Sequence, residues 1–452
     1  MIASERKSVL SLAMLYATRM LGLFMVLPVF VLYGSEFEGS TPALIGLAIG
    51  AYGLSQALLQ IPFGALSDRY GRKVMLYIGL VIFFIGSVVS ASSDTIYGVI
   101  AGRFIQGAGA IAAVIMALLS DLTSVESRTK AMALVGMSIG VSFTLALILG
   151  PLVADLGGLR AIFWLTAALA LSALLWSFVA IPNPTVKTKH RDNRVFKDQI
   201  RDVLRDSELL RLDFGIFVLH FVLTAMFIAI PVSLVNSAGL PSQDHWWLYL
   251  LVLVGSFFCM VPLIIVGEKH HKMKMIFCLA ILLVLSSAAA MPLAHSQLGW
   301  FVVALFIFFM GFNLLEASLP SLVSKISPAG NKGTAMGVYS TGQFVGAFLG
   351  GVVGGMLLDL YTETAVYMFS VCLVSLWLLV ALTMENPKHQ KTMTVFFREN
   401  LDSSEVSSLS DELVRLEGVE DAVVVSDGVA YLKVLSTKLD DNALERLKQQ
   451  YS

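Results

Sequence analysis

The sequence is poor in charge, and that shortage decides its class. Charged residues are only 14% of 452, against about 25% in an average soluble domain. The formal net charge of −1 supplies no basic field of the kind nucleic acid recognition needs. Cysteine is scarce too: Cys259, Cys278 and Cys372 each sit alone inside an apolar run, with no CxxC pair. Disulfide and metal frameworks are thereby excluded, and the three are expected as small buried hydrophobes. No GxxxxGK[ST] loop occurs, so ATP is not the expected energy source. No nucleophile, base and orienter can be assembled either, which argues against an enzyme.

What the chain does have is apolar length. Hydrophobic residues make up 57%, more than one soluble core can hide once a chain passes about 250–300 residues. The apolar runs each approach the ~20 residues that cross a bilayer's hydrocarbon. They fall at about 9–33, 43–66, 74–92, 96–119, 131–154, 161–181, 211–236, 247–266, 275–292, 298–322, 334–358 and 365–384. Arg6 and Lys7 precede the first run as in a signal peptide, but Val9 to Tyr33 is too long for one and contains Arg19 and Pro28. A retained first helix is expected.

Lysine and arginine alternate between connections. The N-terminus, 67–73, 124–130, 182–211, 267–274 and 324–332 carry nearly all of them, while the other connections hold essentially Arg160 alone against Glu36, Asp94, Asp244 and Glu363. The positive-inside rule then puts both termini in the cytoplasm. The charged stretch after Pro182 divides the chain into an N-terminal six-helix half (1–181), a linker (182–210) and a C-terminal six-helix half (211–388). The linker reads as solvated, with room for an amphipathic helix on anionic headgroups. A weak internal repeat, from Met116 and again from Glu316, occupies the fourth-to-fifth span position of each half. Repeated six-span halves are a transporter signature.

The stretch GALSDRYGRK carries the sharpest signal. Gly64 is expected to let two helices approach closely and Gly71 to make a tight turn, while Asp68, Arg69, Arg72 and Lys73 set an acid among bases at the membrane surface. This resembles the signature loop of the major facilitator superfamily, GxLaDrxGrkxxl. The resemblance implies an all-α membrane protein of twelve transmembrane helices in two six-helix halves. It also implies that Asp68 locks the halves together, with Arg72, Asp121 and the helix start near Gly333 and Thr334 as candidate partners.

Arg103 opens RFIQGAG, which resembles the family's RxxQG element. The implied roles are proton coupling or fixing helix geometry, with Gly107 as a packing position. Gly150-Pro151 resembles the GP motif of the drug/proton antiporter branch, although Leu152, Val153, Ala154 and Asp155 depart from its continuation. In-span ionisable groups are expensive in lipid and should look inward. The family places spans one, four, seven and ten around a central cavity, which would gather Arg19, Arg103, His220, Asn313 and Glu316. Glu316 is the first choice of proton carrier and His220 the second. A buried Arg19–Glu316 pair or helix capping is the alternative, and Asp213 reads as interfacial.

After Pro387 the composition becomes mixed. TMTVFF, VEDAVVV and VAYLKVL alternate as strands, 402–416 and Asp440 to Gln450 carry helical patterns, and Ser426-Asp427-Gly428 marks a turn. The βαββα order over 389–452 looks like a small α+β ferredoxin-like domain without its last strand. It holds no cysteine, which argues against chelation of copper or zinc. A regulatory tail and a passive folding module are both open.

The expectation is a proton-coupled secondary active transporter, a monomeric multi-pass protein of a bacterial inner membrane. It would export hydrophobic or amphiphilic compounds, as multidrug efflux antiporters do, with no cofactor beyond the proton gradient. Its partners would be the bilayer, protons and a small-molecule substrate, with no nucleic acid. Symport of a sugar or metabolite, and a non-transporting membrane sensor reporting through the tail, are the alternatives.

Overall fold

Helix boundaries in the chain follow glycine, proline and short polar caps. The computed structural model describes residues 3–182, 200–270, 272–294, 296–327, 332–386, 390–398, 402–424, 428–435 and 441–451. Helix α1 (Ala3–Phe24) gives way to a run of turns ahead of α2 (Phe30–Tyr33). The break surrounds Pro28, whose ring removes a donor and clashes with the preceding turn. α3 (Pro42–Tyr70) starts under Thr41, whose hydroxyl accepts from Leu44 N at 3.2 Å, and stops at Gly71 with φ +102°. That left-handed backbone favours glycine. α4 (Arg72–Ser92), α5 (Ile96–Ala108) and α6 (Ala112–Asp121) follow. The expected single rod over 96–119 is therefore two pieces, parted at Gly109. α7 (Val125–Ala180) is interrupted at Gly157 and Gly158, the latter with φ +62°.

Asp206 caps α8 (Ser207–Asn236) by accepting from Glu208 N at 2.9 Å and Leu209 N at 3.2 Å. After it come α9 (His245–Lys269), α10 (Met273–Ala294), α11 (Leu298–Ile326), α12 (Lys332–Leu360) and α13 (Glu363–Leu382). Among the described residues, 10 helical stretches are long and apolar enough to cross a membrane, one of them the 51-residue Lys130–Ala180. The first apolar run is not among them, because α1 stops at Phe24 and carries Arg19. Large apolar side chains such as Leu58, Trp164, Phe178, Phe258, Trp300 and Leu379 stand exposed around the helices. Such a belt is tolerable only where lipid covers it. Cys259 and Cys372 belong to it: expected as buried, they face outward, where a small apolar side chain meets lipid as readily as protein.

The same clip closes each half. Lys73, in the first turn of α4, donates to the Ile181 carbonyl just past the end of α7 at 2.8 Å. Lys274, in the first turn of α10, donates to the Leu382 and Met384 carbonyls at the end of α13, at 3.0 and 2.5 Å. Both satisfy carbonyls that a helix leaves unpaired at its C-terminus.

On one side the halves meet where α12 packs on α3; on another α7 packs on α9. A methyl added at Gly46 would overlap the Gly351 carbonyl, and one at Gly50 would lie 2.6 Å from the Phe348 carbonyl. On another face of α12, methyls at Gly346 and Gly350 would overlap the Phe217 and Phe221 carbonyls of α8. Backbones thus meet directly, the usual way helices associate where lipid removes the hydrophobic drive. Gln60 adds bonds from α3 to Thr341 Oγ1 at 3.1 Å and the Gly337 carbonyl at 3.4 Å.

After α13, β1 (Gln390–Phe396), α14 (Ser403–Val414), β2 (Val419–Val424), β3 (Val429–Leu435) and α15 (Asp441–Gln450) form a separate small unit. Its antiparallel sheet runs β1-β3-β2, with Thr394 opposite Tyr431 and Ala422 opposite Leu432. Leu409, Leu413, Leu432 and Leu444 meet in its core. Most of the charged linker, including Lys187 to Lys197, and the Ser426-Asp427 turn lie outside the described residues.

Candidate functional site

Three groups of polar side chains gather between the helices. The first surrounds Arg72. Its Nη1 reaches Asp68 Oδ1 at 2.5 Å and Ser67 Oγ at 2.7 Å, and its Nε reaches Asp121 Oδ2 at 3.1 Å. Ser67 in turn donates to the Gly64 carbonyl at 2.6 Å. Arg72 therefore ties the end of α3 to the end of α6. Arg69 lies over the Tyr70 ring at 5.4 Å and Lys73 over Tyr77 at 5.8 Å. Gly64 is not the close approach expected of it: an added methyl would meet only Ala113 Cβ, at an ordinary 3.5 Å.

The second group is sealed inside the N-terminal half. Arg19 and Arg103 are 2% and 1% exposed. Arg19 Nη2 donates to Gln56 Oε1 at 2.7 Å and to the Gly109 carbonyl at 3.0 Å. The break after α5 has left that carbonyl at the negative end of a helix, where a cation is stabilised. Arg103 donates from Nη1 to Gln106 Oε1 at 3.0 Å and from Nε to the Ala48 carbonyl at 3.4 Å, and Gln106 continues to Ser87 Oγ at 2.8 Å. Both guanidinium groups lie near the Tyr52 ring, at 5.9 and 5.1 Å from its centroid. Gly107 admits this packing, since a methyl there would overlap Ser55 and the Tyr52 carbonyl. Gly150 similarly fits against the Met25 carbonyl and Pro28, where span one breaks.

The third group lies in the C-terminal half. His220 Nε2 on α8 is 3.8 Å from Glu316 Oε2 on α11 and 2.8 Å from Gln343 Nε2 on α12. The His220 side chain is 11% exposed and that of Glu316 38%. Glu316 Oε2 itself is buried without a hydrogen-bond partner, as is Asp213 Oδ2 nearer the start of α8. An aromatic cluster adjoins the pair: the Phe312 ring is 6.1 Å from His220 and 6.0 Å from Phe143 of the other half. Phe143 also meets Phe24 at 5.0 Å and Phe227 at 6.5 Å.

The expected gathering of Arg19, Arg103, His220, Asn313 and Glu316 is thus divided. His220 and Glu316 come together. The hydrogen bonds of Arg19 and Arg103 are all to N-terminal-half partners, and among the described residues no Arg19–Glu316 pair forms. The reason is local, since amides and freed carbonyls hold these guanidiniums before any distant carboxylate can. Asn313 turns toward α9, donating to Ser256 Oγ at 3.2 Å. Among the described residues no group of three or more metal-ligating side chains is found.

A sequence model described as Major Facilitator Superfamily matches residues 12–351. The chain belongs to that superfamily. It is accordingly a multi-pass membrane transporter and not an enzyme. This facilitator is 42% identical over 451 residues to the inner membrane transport protein YajR of Escherichia coli (strain K12), covering 100% of this chain and 99% of that protein. Multidrug resistance protein 1 of Bacillus subtilis (strain 168) is 26% identical over 396 residues, covering 83% of this chain and 95% of that one. Among solved structures, a D-xylose-proton symporter superposes with a TM-score of 0.67 at 16% identity, over 84% of this chain and 98% of that chain. At that identity the likeness concerns the fold alone.

Gln343 and Gln56 carry much of the facilitator's buried polar geometry, yet neither bears a charge that would single it out in the sequence. Their signal was available: an amide inside an apolar helix must find a partner, just as a charge must.

Proposed function

We propose that this facilitator is a proton-coupled secondary active transporter of a bacterial inner membrane, exporting hydrophobic or amphiphilic small molecules by alternating access. The observation that carries the reading is the Glu316–His220 pair with Gln343 beside it, set against an aromatic cluster drawn from both halves. A carboxylate and an imidazole 3.8 Å apart can hold a proton or release it according to which side of the membrane they face. The rings of Phe24, Phe143, Phe227 and Phe312 favour an apolar cargo over a sugar.

Twelve spans follow if α1 with α2, α5 with α6, and the two limbs of α7 are counted as bilayer crossings. Both termini are then cytoplasmic by the positive-inside rule. In this reading Gly64, Asp68, Arg69, Gly71, Arg72, Lys73 and Asp121 form a latch on the cytoplasmic side, with Arg72 as its hub. Glu316 and His220 carry the proton, and Arg103 supports them by holding span four. The tail's β1-β3-β2 order fits a ferredoxin-like fold without its last strand, which leaves a regulatory tail and a passive folding module both open. An inner membrane transport protein and a multidrug resistance protein among the relatives accord with the membrane and the cargo class. The working unit is a monomer in lipid, exchanging protons and small molecules, without nucleic acid or a bound cofactor.

The test is flux of a lipophilic dye in proteoliposomes under an imposed pH gradient. Gradient-driven dye movement with matching proton movement is expected, and Glu316→Gln should abolish both. Dye movement that ignores the gradient would remove the proton-coupled reading.

A further inference from the structure

Two cations lie in the N-terminal half without a counter-charge. Among the described residues, neither Arg19 nor Arg103 forms an ion pair, although both are almost wholly buried. Arginine cannot escape the cost of burial by losing its proton. Arg103 has bonds from two of its nitrogens. Arg19 spends Nη2 alone, while its Nε and Nη1 are buried without partners.

The neighbours of Arg19 have the same surplus. Gln56 Nε2 and the Tyr52 hydroxyl are also buried without partners. The Gln56 amide cannot simply be turned over, because its NH₂ would then face the guanidinium that its oxygen now accepts from. Unspent N–H and O–H donors thus surround a fixed positive charge, and among the described residues no carboxylate oxygen pairs with it. That chemistry suits an anion, and the planar guanidinium suits a carboxylate in particular.

Position gives the anion both a route and a body. Gln56 lies three residues after Gly53 and four before Gln60, so the three share a face of α3. A methyl at Gly53 would lie 2.8 Å from the Phe344 carbonyl, and Gln60 bonds to Thr341, so this face is the seam against α12. A parted seam is the route by which an anion would reach the donors. Five residues beyond Arg19 on α1, about 7.5 Å along the helix, Phe24 begins the aromatic cluster that continues through Phe143 and Phe312 to His220.

We propose that Arg19, with Gln56 and Tyr52, receives the carboxylate of the transported molecule, so that the cargo is an aromatic or apolar organic anion. The proposal rests on the reading of the chain as an exporter of amphiphiles and names the charge of its cargo.

The experiment uses the full-length protein in detergent, without a proton gradient. Its thermal unfolding midpoint is followed against 1-naphthoate, the neutral 1-naphthamide and chloride, at constant ionic strength. A saturable rise with 1-naphthoate is expected, with no rise from 1-naphthamide and none from chloride. Arg19→Gln should raise the apparent Kd for 1-naphthoate at least tenfold, and Arg19→Lys should raise it less. Should Arg19→Gln fail to fold, Gln56→Glu supplies the same test, because its carboxylate would occupy the donors and abolish the response. Absence of a 1-naphthoate response overturns the proposal, as does a response that survives Gln56→Glu. An equal response to chloride also overturns it, assigning the donors to an inorganic ion. Because the readout is equilibrium binding, a failure of proton coupling at Glu316 leaves it untouched, and the two readings fail separately.

Discussion

Gln343 Nε2 lies 2.8 Å from His220 Nε2. Two nitrogens bond only when one gives and the other accepts, so an amide donating here holds the imidazole unprotonated at Nε2. A protonated ring would instead donate to the amide oxygen, which a half-turn of the Gln343 side chain provides. Gln343 therefore positions His220 in either state without itself carrying a proton. Gln343→Leu should lower gradient-driven flux roughly three- to tenfold while leaving the proton-to-cargo ratio unchanged. Paired pH-dye and cargo measurements in the same vesicles check this, and a changed ratio would make Gln343 part of the proton path.

Arg72 serves three acceptors, so its loss should be felt more than the loss of any one of them. Arg72→Gln leaves Asp68, Ser67 and Asp121 without their common donor. Hydrogen bonds to charged groups are worth about 1.5–3 kcal/mol, and that is the expected destabilisation of the arrangement in which α3 and α6 are tied. Asp68→Asn, at an exposed carboxylate, should cost less. Cysteine accessibility along α3 and α6 reports the shift, and equal effects from the two variants would rule out the hub role of Arg72.

The glycine seam gives a third expectation. A side chain at Gly351 would meet the Gly46 carbonyl of α3 at 2.6 Å from its first carbon. Overpacking of this kind costs typically about 1–3 kcal/mol, borne only by the conformation in which α3 and α12 touch. Gly351→Leu should therefore favour a parted seam and slow transport. By contrast, Gly136→Ala should be nearly silent, since nothing lies within 4 Å of the added methyl. Distances between spin labels on α3 and α12 would measure the parting.

The tail offers a pH dependence with a definite sign. Asp402 caps α14, accepting from Glu405 N and the Ser404 hydroxyl, both at 2.7 Å, while Glu405 reaches back to Asp402 N at 3.0 Å. These bonds, led by the Glu405 backbone N–H, hold the Asp402 carboxyl below its ordinary value of 3.8. A lowered folded-state pKa stabilises fully above the unfolded value and is lost as pH falls through the folded one. Protection of the Glu405 amide in the full-length protein should accordingly be greater than in Asp402→Ala at neutral pH. The difference should vanish as pH drops below 3.8, and a difference that widens with acid would contradict the assignment.

Some of this could be read from residue order because the forces are local. Gly71 announces a tight turn between two helices, and it has the positive φ such a turn needs. Alternation over VAYLKVL places β3 within the tail. Apolar run lengths located most of the helices, but not the break at Gly109, because a glycine inside an apolar run looks the same whether the helix passes through it or stops. The partners of Arg19 were hidden for a different reason. Its burial depends on residues 37 and 90 positions away, and family geometry pointed toward a shared cavity while nearer amides and carbonyls claimed the guanidinium. The two glycine faces of α12 are visible as spacing, yet which helix each one meets depends on the tertiary arrangement.

The lysine clips have a mechanical meaning. Ile181 and Met384 are where the chain leaves each bundle, toward the linker and toward the tail, and Lys73 and Lys274 grip those exits from the opening turns of other helices. A pull arriving along either segment is therefore shared at once between two rods instead of unravelling one. The exit at Met384 is thereby held to the start of α10, and the exit at Ile181 to the residue beside Arg72.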